Sequence, residues 1–140
     1  MADDGTILVG EVAKERLVSH PESTAASFKK DMGTEQKYIL GNRTFLPEEL
    51  SSFIIRSIVE DAKEYLQEEI EEVIVSVPAY FHDRQRVATK RAGALAGVTV
   101  NRIINEPSAA AMASYIDTSK EELFLKYVYC CSVVQSCLTL

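Results

Sequence analysis

The clearest periodic pattern in the chain begins at Pro47 and continues to about Gln67. Proline is favoured in the first turn of a helix, and Glu48 and Glu49 suit the positive end of the helix dipole. The pattern therefore predicts one long amphipathic helix. Its buried face should carry the apolar or small residues that recur at helical spacing, namely Leu50, Phe53, Ile54, Ser57, Ile58, Ala62, Tyr65 and Leu66.

A β-branched run and a second helical pattern follow this helix. Residues 73–77 are almost continuously apolar, which favours a strand buried on both faces. Residues 83–96 then show helical spacing, and Gly97 is placed to end that helix. The inward face should carry Val87, Ala88, Ala92, Leu95 and Ala96.

A second strand candidate covers residues 98–104, and Asn105 is placed to cap a small-residue helix that runs from Glu106 to about Ile116. From residue 47 onward the order is thus helix, strand, helix, strand, helix. This alternation predicts an α/β fold in which helices cover a sheet.

The N-terminal third is predicted to contain only short elements, because turn residues interrupt every periodic run. In chain order these are a strand at 6–9, a helix at 11–19 stopped by His20-Pro21, a helix from Ser23 or Thr24 to Met32 ended by Gly33, and two strands at 37–40 and 43–45 around Gly41-Asn42.

Composition narrows the class of protein without identifying it. The chain of 140 residues is 46% hydrophobic and 26% charged, as in an ordinary globular domain, and its net charge of −6 argues against a nucleic-acid binding face. The N-terminus shows no basic region followed by an apolar run, so we expect no secretory signal. Residues 123–140 are too interrupted by polar side chains to predict a membrane span.

The three cysteines, Cys130, Cys131 and Cys137, all lie near the C-terminus. Their odd number and the lack of a second Cys or His cluster give no metal-ligand spacing, so free thiols are the expected state. The long cysteine-free stretch before them suits a reducing, cytoplasmic location.

Catalytic motifs are absent from the sequence itself. There is no G-x-x-x-x-G-K-[ST] loop, no G-x-S-x-G elbow and no G-x-G-x-x-G loop, and Gly93 and Gly97 fall inside and at the end of a helical pattern. His20 and His82 are far apart, and the acidic residues between 68 and 72 are typical of a solvated connector. The residues alone therefore indicate a soluble α/β domain without an assigned function.

Three stretches carry a resemblance to a known family. Residues 75–81 read Val-Ser-Val-Pro-Ala-Tyr-Phe, residues 83–97 read Asp-Arg-Gln-Arg-Val-Ala-Thr-Lys-Arg-Ala-Gly-Ala-Leu-Ala-Gly, and residues 102–111 read Arg-Ile-Ile-Asn-Glu-Pro-Ser-Ala-Ala-Ala. The sequence of these stretches resembles that of the DnaK-type heat-shock chaperones, and the resemblance extends over roughly residues 6–117. The segment 40–52 is most similar to the shorter, specialised bacterial branch of that family.

The resemblance implies a fold and an activity. The fold would be lobe one of an actin-like (ribonuclease-H-like) ATPase domain with an incomplete sheet. Residues 1–122 would form the outer subdomain and part of the inner subdomain of that partial nucleotide-binding domain, and residues 123–140 a divergent tail. The family hydrolyses ATP with Mg²⁺ to drive the folding of unfolded client proteins, and it works with a J-domain co-chaperone.

Two positions inherit catalytic and nucleotide-binding roles through the resemblance. Lys14 matches a lysine that points at the transferred phosphate, where a cation stabilises developing negative charge. Glu106 matches a carboxylate near magnesium and its bound waters, without being a direct metal ligand. The structural alternatives are a solvated lysine on a short helix and an acidic residue that merely suits a helix N-terminus.

Further positions inherit a role in allosteric communication. Pro78 and Arg86 match residues that relay the nucleotide state to the peptide-binding domain, and the alternatives are a strand terminator and a surface charge. The same relay and docking surface would include Tyr80, Lys90 and Arg102.

The chain also departs from the family pattern. No Asp-Leu-Gly-Thr-Thr-type phosphate loop precedes Thr6, and Leu123-Phe124-Leu125 could begin the next strand, but Lys126 to Leu140 contains no glycine or aspartate. We therefore expect the chain by itself not to bind Mg-ATP and to be catalytically silent.

Two alternatives remain, together with one consequence of an incomplete sheet. The chain could be a non-enzymatic module that binds a co-chaperone or an interdomain linker. It could also be another actin-like protein, such as a sugar kinase or filament protein, but the sequence of residues 75–81 and 105–111 disfavours this second alternative.

The incomplete sheet leaves apolar strand faces and edges open, which predicts self-association or marginal stability.

Overall fold

A computed structural model describes residues 6–115 and 137–139. The elements are β1 (Leu8–Val9), α1 (Glu11–Ser19), β2 (Thr24–Ala26), β3 (Tyr38–Leu40), β4 (Arg43–Phe45), α2 (Pro47–Leu66), β5 (Glu72–Val77), α3 (Asp83–Ala96), β6 (Thr99–Asn105), α4 (Glu106–Tyr115) and β7 (Cys137–Thr139), with 3-10 turns at Pro21–Ser23 and Phe28–Asp31.

The unit from β5 to β6 confirms the predicted α/β alternation. The two strands are parallel, and α3 forms the connection that parallel strands require. Helix α3 packs closely on β6, since a Cβ added at Gly93 would lie 2.3 Å from Val100 Cγ2. Glycine at this helical position therefore allows the helix and the strand to approach each other.

The long helix α2 begins and ends as predicted. The backbone N–H of Leu46 donates to Glu49 Oε2 at 2.7 Å, which satisfies a donor just before the first turn. At the other end Gln67 adopts a left-handed conformation with φ 56°, and its N–H donates to the Lys63 carbonyl. Helix α2 packs against α3 and against the 3-10 turn at Phe28–Asp31.

Two apolar clusters connect the helices and strands. The first joins the N-terminal elements to α2 through Ala25, Phe28, Leu40 and Leu50. The second joins the 3-10 turn to β5 and α3 through Met32, Val77, Phe81 and Ala88. Phe28 and Met32 thus attach one short segment to both clusters.

The predicted helix from Ser23 or Thr24 to Met32 is wrong. Thr24–Ala26 is a strand that pairs antiparallel with β7, and β7 also pairs with β1. Ser27 has φ 60°, which interrupts any helix at that point. Strand pairing with residues more than a hundred positions away overrides a local preference that was weak. Gly33 does adopt the predicted left-handed conformation, with φ 74°.

The predicted burial is wrong at several apolar positions. Strand β5 is not buried on both faces: Val77 is buried against α3, whereas Ile74 is 63% exposed on the other face. The C-terminal part of α2 is also exposed, with Tyr65 at 87%. Periodicity identifies one face of an element, but it does not show how much of that face other elements cover. Ile58, Leu66, Val87 and Leu95 are likewise exposed.

No helix among the described residues is both long and apolar enough to cross a membrane.

The exposed face of β5 generates a prediction about self-association. Replacing Ile74 by Thr keeps a β-branched residue in the strand but makes this exposed surface more polar. We therefore expect the apparent molar mass at high protein concentration to fall towards that of the monomer. Sedimentation velocity over a concentration series measures this. The matched control is Ile39→Thr, because Ile39 on the β3–β4 hairpin is also largely exposed.

Equal effects of the two substitutions, or an unchanged sedimentation profile with Ile74→Thr, would show that the β5 face is not the surface that associates.

Candidate functional site

The carboxyl ends of β5 and β6 bring the two most informative sequence segments together. The strands are parallel, and after a register shift between Val73 and Ile74 their pairing places Val77 opposite Asn105. The turn that follows β5 at residues 78–82 and the start of α4 at Glu106 therefore lie at the same edge of the sheet. In open α/β sheets this edge is where ligands usually bind.

Arg86 connects the two segments directly. Its Nε donates to the Phe81 carbonyl at 3.1 Å, and its NH2 nitrogen donates to Asn105 Oδ1 at 2.7 Å. The side chain lies on the first turns of α3 and is partly buried. The first acceptor is a backbone carbonyl and the second is the side-chain amide oxygen of the last residue of β6, so this guanidinium ties the end of β6 to the turn after β5.

The turn after β5 is built around Pro78 and Phe81. Pro78 is buried directly after the strand, and the Phe81 N–H donates to the Pro78 carbonyl at 3.1 Å. Tyr80 is exposed, and its ring contacts the Phe81 ring edge to face with 5.7 Å between centroids. His82 precedes α3, and its N–H donates to Gln85 Oε1 at 2.9 Å. The turn is therefore tied at both ends.

Glu106, the first residue of α4, contacts a residue that the sequence did not indicate. Its Oε1 accepts a hydrogen bond from Lys29 Nζ at 2.6 Å, across 77 positions of sequence. Lys29 belongs to the 3-10 turn at Phe28–Asp31, so the pair joins the N-terminal elements to the end of β6. No local pattern identifies Lys29, because it is one of two adjacent lysines in a short polar segment.

Lys14 lies apart from this cluster of contacts. It is exposed on α1, and its Nζ is 3.6 Å from Glu11 Oε1. A pair this exposed contributes little to stability. Among the described residues no hydrogen bond or ion pair joins Lys14 to Glu106.

Lys90 and Arg102 are also exposed and are not bonded to Arg86. Lys90 lies on α3 beside the surface formed by Gly97 and Val98. Arg102 lies on β6 and is opposite Ile74 in the register of the sheet. The structure thus brings Pro78, Tyr80, Arg86 and Glu106 to one edge and leaves Lys14, Lys90 and Arg102 outside that hydrogen-bonded set.

Glu106 and Lys14 have the side-chain chemistry that the periphery of a magnesium–phosphate site requires, but no contact among the described residues joins them. No group of three or more His, Cys, Asp or Glu in the described ranges could hold a metal ion. Glu106 can still accept from metal-bound water, because a carboxylate has about four acceptor sites and Lys29 uses one of them. Within the described ranges Lys14 has one long, exposed ion pair, so its ammonium is available to an anion.

A phenol with a raised pKa contacts the same 3-10 turn. Tyr38 on β3 donates its hydroxyl hydrogen to the Asp31 carboxylate. Burial of the phenol, followed by the hydrogen bond and the negative charge of Asp31, raises the pKa of Tyr38 to about 12 from its ordinary value of 10.0. This contact holds the turn that presents Lys29 against the β3–β4 hairpin.

The Tyr38 contact predicts a specific pH dependence. A pKa that is higher in the folded than in the unfolded state stabilises the fold below pH 10, and this contribution is lost as the pH rises through about 12. The unmodified chain should therefore lose unfolding free energy between pH 10 and about 12. In Tyr38→Phe this loss should be smaller by roughly 1 kcal/mol, after allowance for solvent screening. Urea titrations at several pH values measure it.

The matched control is Tyr65→Phe, because Tyr65 is almost fully exposed. A similar flattening with both variants, or none with Tyr38→Phe, would mean that the Asp31 contact does not couple folding to pH.

Comparison with known proteins gives concordant matches. A family model described as Hsp70 protein matches residues 34–128. The chaperone protein DnaK of Halobacterium salinarum is 48% identical over 126 residues, which is 89% of this chain and 20% of that protein. The DnaK proteins of Thermotoga maritima (48% over 124 residues) and Methanothermobacter thermautotrophicus (43% over 123 residues) each match 88% of this chain and 21% of their own length. The chain thus spans about a fifth of the length of these relatives.

Proposed function

This chain belongs to the Hsp70 family, and from that membership we propose that it is a segment of the ATPase domain of a DnaK-type molecular chaperone. In this proposal residues 1–122 contribute the outer subdomain and part of the inner subdomain of lobe one of an actin-like domain, and residues 123–140 form a tail that is divergent in sequence. The whole protein hydrolyses ATP to assist folding of unfolded client proteins, in the cytoplasm and with a J-domain co-chaperone.

The observation that carries this proposal is the double hydrogen bond of Arg86. It links the turn after β5, which contains Pro78, to Asn105, the residue before Glu106. A device that reports the state of a bound nucleotide needs a rigid connection between a residue near the phosphates and a surface that another domain can contact. Arg86 supplies such a connection between the Glu106 end of β6 and the exposed Tyr80.

The proposed catalytic roles belong to Lys14 and Glu106. Bound Mg-ATP would supply the phosphoryl group and a divalent charge beside it. Lys14 places a mobile cation where negative charge develops, and Glu106 accepts hydrogen bonds from metal-bound water without ligating the metal. Lys29 fixes the Glu106 carboxylate through its 2.6 Å contact.

The proposed relay uses the rest of the edge. Pro78 and Arg86 transmit a change in the position of Glu106 to Tyr80, and Lys90 and Arg102 belong to the surface that docks the peptide-binding domain or its linker. Support comes from the burial of Pro78 close to the exposed Tyr80, and from the exposure of Lys90 on α3 and Arg102 on β6.

By itself the chain is proposed to be inactive. Its sequence has no glycine-rich loop whose backbone N–H groups could cradle a phosphate. A lysine and an outer-shell carboxylate cannot replace such a loop, because neither fixes the position of the phosphate chain.

A non-enzymatic role in binding a co-chaperone or interdomain linker is the second candidate. It is favoured by two exposed cations, Lys90 and Arg102, that make no ion pair within the described part of the chain. Binding of an isolated J-domain in the absence of nucleotide would support this role, whereas binding that requires Mg-ATP would support the ATPase proposal.

A chimera tests the ATPase proposal. Residues 6–115 replace the aligned segment of Thermotoga maritima DnaK, and the steady-state rate of ATP hydrolysis is measured with and without Lys14→Ala. We expect the chimera to hydrolyse ATP within about tenfold of the unmodified protein. Lys14→Ala should lower kcat by on the order of 100-fold while the affinity for Mg-ATP stays within a few-fold, because a group that acts on developing charge affects the transition state.

The control is Lys30→Ala, which removes another exposed lysine from the same segment. Equal rates for the two variants would remove Lys14 from the catalytic role, and a folded chimera without ATP hydrolysis would contradict the proposal as a whole.

A further inference from the structure

A groove of about 810 Å³ lies where the amino ends of α2 and α3 meet the loop after Gly33. The loop sits tightly on α3, since a Cβ added at Gly33 would be 2.9 Å from the Arg84 backbone. The groove has the size of a site for a small molecule or a few amino-acid residues. It shares no lining residue with the candidate site at the carboxyl ends of the strands.

One carboxylate in this groove lacks a hydrogen-bond donor. The side chain of Glu48 is only 13% exposed, and its Oε2 is buried without a partner among the described residues. Its Oε1 is 3.9 Å from Arg91 NH1, which is beyond hydrogen-bonding distance. Within the described residues the ion pair of Glu48 is this long contact with the exposed Arg91, so its carboxylate can accept a further hydrogen bond.

The groove also offers apolar surface next to this carboxylate. Val87 lies along the lining and is 50% exposed, and Leu46 lines the groove beside Glu48. Val87 was predicted to face the core. Its exposure therefore leaves an apolar surface beside a carboxylate that is only weakly paired with Arg91, which suits a ligand side chain with an aliphatic stem and a cationic head.

The other charges of the groove favour the same ligand class. Glu35 and Asp83 add two carboxylates, whereas Arg84 and Arg91 contribute two guanidinium groups. With Glu48, the lining carries one more negative than positive charge. Arg91 is largely exposed and can turn away, so it competes weakly for Glu48.

We propose that this groove is a binding site for a peptide segment of another protein, in which an arginine or lysine donates to Glu48 and a neighbouring apolar residue packs on Val87. The site needs no nucleotide. This proposal can therefore be tested independently of the proposed ATPase role.

The test is an NMR titration of the ¹⁵N-labelled chain with the peptide acetyl-Leu-Arg-Leu-amide. We expect saturable shifts at the amides of residues 34, 35, 48 and 87. The same peptide with citrulline, an uncharged analogue of arginine, should bind at least tenfold more weakly. Glu48→Gln should weaken binding of the arginine peptide to the same extent, and Val87→Ser should weaken it several-fold.

Arg91→Gln is the matched control, because it alters a charge beside Glu48 without removing the acceptor. It should leave the affinity unchanged or increase it. The proposal is overturned if the arginine peptide gives no saturable shifts at the groove, if citrulline or Glu48→Gln makes no difference, or if acetyl-Leu-Glu-Leu-amide binds better than the arginine peptide. A thermal unfolding curve for each variant identifies any that fails to fold, and the citrulline comparison then decides the matter on the unmodified chain.

Discussion

The arrangement of the candidate site depends on the two hydrogen bonds of the Arg86 guanidinium. The parallel strands β5 and β6 are paired along their backbones as far as Val77 and Asn105, and the turn after β5 lies beyond that pairing. Arg86 ties this turn to the end of β6 by bonding to Phe81 in one segment and Asn105 in the other. Hydrogen bonds from a charged donor are each worth about 1.5–3 kcal/mol, so this contact is large for a protein of marginal stability.

A second connection extends the same edge to the N-terminal elements. Lys29 binds Glu106, and the 3-10 turn that carries Lys29 is held by Phe28 and Met32 in the two apolar clusters and by the contact of Asp31 with Tyr38. The position of the Glu106 carboxylate is therefore set by parts of the chain far apart in sequence.

The sequence predicted the elements with strong local signals, and it failed where distant residues decide. Helices α2 and α3 were located by helical spacing together with Pro47 at the start of the first and Gly97 at the end of the second. The edge of the sheet was located by the family-like sequence around Pro78 and Asn105. The strand at Thr24–Ala26 was mistaken for a helix because its partner is β7. Lys29 was not foreseen, since its contact depends on which surfaces meet after folding. The exposure of Ile74 contradicts the burial predicted for both faces of β5 from its composition, although open strand faces were expected from the incomplete sheet.

Hydrogen exchange in the Arg86→Gln variant tests most directly whether this one side chain holds the edge together. If it does, the amides of residues 79–82 and 104–106 lose protection together, by at least tenfold relative to the unmodified chain, while those of the β3–β4 hairpin at residues 38–45 are unchanged. Unchanged protection at the edge, or an equal loss in the hairpin, would contradict the account: the first would mean that Arg86 is dispensable there, and the second that it acts only on global stability.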